Sequence, residues 1–313
     1  MTPSTTAPTP TDARPVPTEA DVRAAAERIA GYARRTPVLR ARVDGRPLLL
    51  KLEQLQITGA FKLRGALNAL RAGEPTDKVI TASGGNHGLG VAAAARMLGV
   101  TAVVYVPETV PEAKARLLQA SGAELVRVGE NYAAAAAAAH ERADAEGVRY
   151  LHAYDDPQVV AGQGTVGLEI ALDAPDCDTV AVAVGGAGLV AGVRLGTGGR
   201  RVVAVEPEGC RSLHAALEAG EPVDTPVDSV ASSALGASRV GDVPFAVLRR
   251  HPVATAMVSD AEILAARDRM WEEFRIAAEP AAAVPFAAWL AGRVPGENPC
   301  LIVCGANAEW TPA

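Results

Sequence analysis

The segment Thr58-Gly-Ala-Phe-Lys-Leu-Arg-Gly-Ala66 places one lysine, Lys62, where a glycine-containing turn gives way to a helical pattern. An amine at a helix N-terminus meets the positive end of the aligned peptide dipoles, which disfavours its charged form. A lysine held neutral is both a base and a nucleophile toward carbonyl compounds. Only four lysines occur among 30 basic residues, so the alternatives can be weighed singly. Lys51 lies in an apolar run, Lys78 follows Pro75-Thr-Asp in a turn, and Lys114 reads as the outer side of the helix after Pro111. Each is accounted for as a solvated charge, and Lys62 would be too if it stood alone.

It does not stand alone. Ser83-Gly-Gly-Asn-His87 closes the apolar run Val79–Ala82 and opens a helical stretch over Gly88–Leu98. Successive backbone N–H groups at a helix start form an anion site of carboxylate size, and Ser83, Asn86 and His87 add side-chain donors. A third loop, Gly185-Gly-Ala-Gly-Leu189, follows the run Thr179–Val184 and precedes a helix through Gly192. Its glycines let the backbone approach an oxygen-rich group such as a phosphate. The same loop admits a competing reading. Gly186-x-Gly188-x-x-Ala191 fits a dinucleotide-binding fingerprint, with Glu206 ending the next strand as the expected ribose partner of an NAD-dependent dehydrogenase. That reading leaves the Lys62 loop and the Ser83–His87 loop without a purpose.

The elements that must position these loops alternate. Strands are predicted at 47–51, 79–82, 102–106, 124–128, 179–184, 201–206 and 300–304, with helical stretches between them. Several, such as Val180-Ala-Val-Ala-Val184, are apolar throughout, as strands covered on both faces are. Strands spaced by helices predict an α/β fold with parallel sheets, whose ligands sit beyond the strands' carboxyl ends. A helix is predicted from an N-cap at Thr18, with Asp21 completing a capping box, to about Arg34. The alanine run 133–139 is read as helix because alanine is the strongest helix former.

Composition narrows the function classes. The chain has 313 residues, 49% hydrophobic and 21% charged, with a net charge of −6. An acidic chain with 4% aromatics argues against a nucleic-acid partner. No stretch approaches the ~18 apolar residues of a membrane span. Residues 1–17, rich in Pro and Thr, read as a disordered tail without the apolar core of a signal peptide, which points to the cytoplasm. Cys177, Cys210, Cys300 and Cys304 form no metal-spaced pair and are expected to be buried free thiols.

Taken together, these segments resemble the fold-type II pyridoxal-phosphate (PLP) enzymes, in the serine/threonine dehydratase branch. The resemblance runs through Arg35-Thr-Pro-Val38, the Lys62 loop and Ser83–His87, then Val106-Pro107 with Lys114 and Asp155-Asp-Pro157. It continues in Ala161-Gly-Gln-Gly-Thr165, the loop 185–189, Glu279-Pro280 and Cys304-Gly-Ala-Asn307. It implies a two-domain fold like that of the tryptophan synthase β subunit, with a small domain over 73–152 and a large domain built from 18–72 and 153–313. It implies that Lys62 carries the cofactor, with Phe61 beside the ring and Asn86 on the ring oxygen. Gly185, Gly186, Ala187, Gly188 and Leu189 would hold the phosphate, and Glu279 would belong to the cofactor's surroundings. Ser83, Asn86 and His87 would hold the substrate carboxylate, Tyr154 would border the substrate side chain, and Cys304 would face the pyridine nitrogen as a neutral donor.

Departures from the pattern also matter. Ala187 replaces a glycine of the loop, which a negative φ would accommodate. Gly84 stands where similar racemases carry a serine able to protonate the second face. Glu206 matches a cation ligand of some members, but Ser212 stands where its acidic partner would be, and metal binding stays unassigned. The resemblance implies β-elimination from a small β-hydroxy amino acid, giving a 2-oxo acid and ammonia, by a homodimer. β-Replacement, racemisation and a catalytically silent PLP-binding protein are the other readings. The β-substituent (serine, threonine, 3-hydroxyaspartate or a specialised metabolite) is left open.

Overall fold

The computed structural model describes residues 14–307; the expected tail thus lies largely outside the described residues. Thr18 caps the first helix, Glu19–Ile29, in the predicted capping box, its Oγ1 accepting from Asp21 N while Asp21 accepts from Thr18 N at 2.8 Å. The helix ends at Ile29, earlier than predicted, because the chain turns through Gly31 at φ +80°.

Among the described residues nine strands follow: β1 (Val38–Val43), β2 (Arg46–Lys51), β3 (Lys78–Ala82), β4 (Thr101–Val106), β5 (Ala123–Arg127), β6 (Thr179–Ala183), β7 (Arg201–Pro207), β8 (Ala254–Val258) and β9 (Pro299–Ile302). They form a six-stranded sheet in the order β1-β2-β9-β6-β7-β8 and a three-stranded sheet in the order β3-β4-β5. All pairings are parallel except β1 with β2, joined by a tight turn at Asp44-Gly45 in which both residues have positive φ. Val180 pairs with both Val202 and Cys300, so β6 is central, and all five of its residues are buried. The fold is α/β with parallel sheets flanked by helices, as predicted.

The seven anticipated strands are present. β1 and β8 were not anticipated, and both are sheet edges. A strand covered on one side only needs no continuous apolar run: Arg40 and Arg42 interrupt β1, and two of the five residues of β8 are exposed.

The loops of interest follow β2, β3 and β6, and Cys304 follows β9. Helix Asn86–Leu98 crosses close against the start of helix Lys62–Ala72, and Gly90 permits the approach. A Cβ there would meet Lys62 C at 3.0 Å and Leu63 N at 3.1 Å.

Candidate active site

Lys62, Ser83–His87, Tyr154, Gly185–Leu189, Glu279 and Cys304 line one cavity of about 550 Å³. Distant parts of the chain thus converge, including all three glycine-rich loops. Lys62 begins its helix, and its Nζ donates to the carbonyl of Ala153 at 2.8 Å. The amine lies 5.1 Å from the centre of the Phe61 ring. Among the described residues no carboxylate is hydrogen-bonded to it, and its pKa falls from 10.5 to about 8. Burial is the largest cause, opposed by the nearby Cys304 and Glu279. Desolvation thus brings the amine's pKa down toward neutral pH, so that a usable fraction of it is unprotonated.

On the Ser83–His87 loop, Ser83 Oγ accepts from Gly85 N at 3.2 Å and keeps its own proton available. Asn86 turns inward, its Nδ2 donating to Glu279 Oε1 at 2.9 Å and Oε2 at 3.1 Å while its Oδ1 accepts from Asn307. Glu279 is buried, and that burial raises its carboxyl pKa. His87 is buried with Nε2 3.1 Å from Leu151 O, and Nδ1 has no hydrogen-bond partner among the described residues. A carbonyl only accepts, so Nε2 carries the proton and Nδ1 is a bare acceptor. Burial pulls the ring's pKa down to about 3, so His87 is neutral.

The loop 185–189 opens helix Gly188–Gly196. Tyr154 lies over it so closely that a Cβ on Gly186 would meet its ring at 2.4 Å. The tyrosine hydroxyl donates to Arg239 O at 3.3 Å. Ala187 does not take the negative φ that its replacement of glycine called for: φ is +68°, in the left-handed region. An alanine there is strained by about 1–2 kcal/mol. The backbone path of the loop prevails because its neighbours are fixed by Tyr154 and by Leu235, 3.1 Å from a Cβ built on Gly185.

Cys304 is buried, its carbonyl accepting from Phe61 N at 3.1 Å. Burial and the nearby Glu279 push the thiol well above its ordinary pKa, so it is a neutral donor. Cys177, Cys210 and Cys300 are likewise buried and free, as expected. Glu206 does not serve a ribose. Its two carboxylate oxygens accept from Leu213 N and His214 N, each at 2.8 Å, and so cap helix Ser212–Ala219. Ser212 Oγ donates to Gly185 O at 2.9 Å. No cluster of three metal-ligating side chains occurs among the described residues.

Two lysines contradict their expected solvated state. Lys51 is fully buried, donating to Glu169 at 2.5 Å and to Thr36 O at 2.7 Å. Lys114 is half-buried and lines the cavity. Thr109, Tyr132 and the stretch Ser232–Ser238 also line it and were not anticipated. The small residues of Ser232-Ser-Ala-Leu-Gly-Ala-Ser238 were the only local signal available, since they fit a loop kept close to a ligand.

Residues 29–305 match the family described as pyridoxal-phosphate dependent enzymes. The chain belongs to that family. Its cofactor is pyridoxal 5′-phosphate, and the dehydrogenase reading is set aside. The chain is similar to an L-threonine ammonia-lyase of Geobacter sulfurreducens, 37% identical over 276 residues that span 85% of this chain and 68% of the relative. Among solved structures it is similar to a T.th. threonine deaminase, with TM-score 0.88 and 36% identity over 95% of this chain and all of the other. It is also similar to maize serine racemase, with TM-score 0.88 and 29% identity over 94% of this chain and 95% of the other. The cavity suits the family's cofactor: an amine of lowered pKa, a loop at a helix N-terminus for an anion, and a neutral donor at Cys304 stand around one volume.

Proposed function

We propose that this PLP-dependent enzyme is an ammonia-lyase that eliminates the β-hydroxyl of L-threonine or L-serine, releasing a 2-oxo acid and ammonia. The observation that carries the reading is the desolvated Lys62 amine, free of any carboxylate hydrogen bond among the described residues, in one cavity with two anion-directed loops. The similarity to an L-threonine ammonia-lyase and to a threonine deaminase supports the substrate.

Lys62 would hold the cofactor and, once released, take the α-proton as general base, for which a pKa of about 8 is well placed. Gly185–Leu189 would bind the phosphate, Phe61 would pack beside the ring, and Asn86 with Glu279 would order the ring-oxygen side. When bound, the cofactor supplies the electron sink for the charge left at Cα. Cys304, kept protonated by burial, would give the ring nitrogen a neutral hydrogen bond that leaves the sink weak, which favours rapid loss of the β-hydroxyl over a long-lived carbanion. The Ser83–His87 loop would receive the substrate carboxylate, and Tyr154 would border its side chain. The domain division is part of the proposal: 73–152 carries β3–β5, and the six-stranded sheet comes from the rest. So are a homodimer, by resemblance, and a cytoplasmic location, supported by four free thiols.

The racemase reading is disfavoured at Gly84, which has no side chain to protonate the second face. Incubation of the loaded enzyme with L-serine and L-threonine, assayed for 2-oxo acid and by chiral analysis, tests both points. The expected result is 2-oxo acid formation with little D-serine. D-Serine formed as fast as pyruvate would overturn the Gly84 argument, and no 2-oxo acid from either substrate would overturn the lyase assignment.

A further inference from the structure

The loop expected to hold the substrate carboxylate contains no positive charge. His87 is neutral, with its only N–H spent on Leu151 O, and the Asn86 amide is turned to Glu279. A carboxylate arriving at Ser83–His87 would find the Ser83 hydroxyl and the leading N–H groups of helix Asn86–Leu98, which have no intrahelical partner. These neutral donors suffice to receive an anion at a helix start, and an ammonium beside them would strengthen its binding through a charge-assisted contact.

The cation stands nearby. Lys114, on helix Glu112–Ala120, lines the main cavity and also a second one of about 40 Å³ bounded by Gly84, Gly85 and Asn86. It therefore flanks the loop and reaches the substrate volume as well. It forms no salt bridge or hydrogen bond among the described residues. Its charge is felt by Glu279, but the Glu279 oxygens are occupied by Asn86. An amine left without a partner beside a loop of neutral anion donors is suited to complete that loop.

We propose that Lys114 supplies the positive charge that binds the α-carboxylate of the amino-acid substrate at the Ser83–His87 loop. The proposal rests on the ammonia-lyase reading of the same cavity. It places the carboxylate between the helix N-terminus and the ammonium, and it gives His87 the separate task of bracing the loop against Leu151.

The test uses the cofactor-loaded enzyme and two ligands that cannot undergo β-elimination, glycine and glycinamide, titrated by the change in the visible cofactor band. Lys114→Gln should weaken glycine binding roughly 10- to 100-fold, the range of a charged hydrogen bond, and leave glycinamide binding unchanged. Lys114→Arg should restore most of the glycine affinity. Equal weakening of both ligands, unchanged glycine affinity, or loss of the cofactor band in Lys114→Gln would each overturn the proposal. Because neither ligand is turned over, the result stands even if L-serine and L-threonine prove not to be substrates, which would instead sink the ammonia-lyase reading.

Discussion

Lys51 and Lys62 lie close in sequence, at the end of β2 and the start of the following α-helix, and the protein treats them oppositely. Lys51 joins a closed set of charges. It binds Glu169, which also takes Arg64 Nη1 at 2.7 Å, and Arg64 in turn reaches Glu53 through Nε at 2.8 Å. Arg64 and Glu53 are both fully buried, and each shifts its pKa toward keeping its charge because the other faces it. Lys62 is given only the Ala153 carbonyl, and its pKa falls. A buried lysine with a carboxylate is a structural cation, whereas one denied a carboxylate is available to react.

The largest way to break this comparison is Lys62→Ala. It should remove the visible band of lysine-bound cofactor and all turnover while changing stability by no more than about 1 kcal/mol, since no ion pair is lost. A variant that kept the band would move the anchor to another lysine; absorption spectroscopy and denaturant melts read the two effects. Lys51→Ala should do the reverse. Removing one partner of the buried cluster should cost about 3 kcal/mol of stability. The folded fraction should still load cofactor, and a lost band with undiminished stability would show that Lys51 serves the site.

The difference can be sharpened by pH. Only the neutral amine attacks an aldehyde, and Lys62 is neutral above its pKa of about 8 and an ammonium below it. The rate at which cofactor-free protein captures pyridoxal phosphate should therefore rise with pH and reach half its plateau near a pH of about 8. A half-point close to the ordinary lysine pKa, measured by stopped-flow absorbance, would mean that burial does not depress this amine. The smallest effect concerns the loop opposite. Ala187→Gly relieves a left-handed alanine and should stabilise the fold by about 1 kcal/mol, after subtracting the greater freedom of glycine in the unfolded chain. A loss of stability would show that the alanine methyl contributes more by packing than its backbone costs.

Much of the scaffold was legible because it is written locally. The fully apolar Val180-Ala-Val-Ala-Val184 could only be a covered strand, and the Thr18–Asp21 capping box forms from residues three apart. Ser83–His87 and Gly185–Leu189 announced anion-directed turns by residue type, and both line the cavity. The edge strands β1 and β8 were missed because half-covered strands carry a weaker pattern.

What residue type and spacing determined, then, was where the backbone turns, where it can approach an oxygen-rich ligand, and which lysine stands at such a turn. Tertiary structure alone decided which charges meet. Glu169 is far along the chain from Lys51, Glu279 reaches Asn86 from the opposite end of the sequence, and Lys114 lines the cavity from what read as the outer side of its helix. The φ of Ala187 was likewise set by the packing of Tyr154 and Leu235 around the loop. Secondary structure follows from neighbours within a few residues, but the partner of a charge, and with it the charge's pKa, depends on which distant segments packing brings within hydrogen-bond reach and on how much water they exclude.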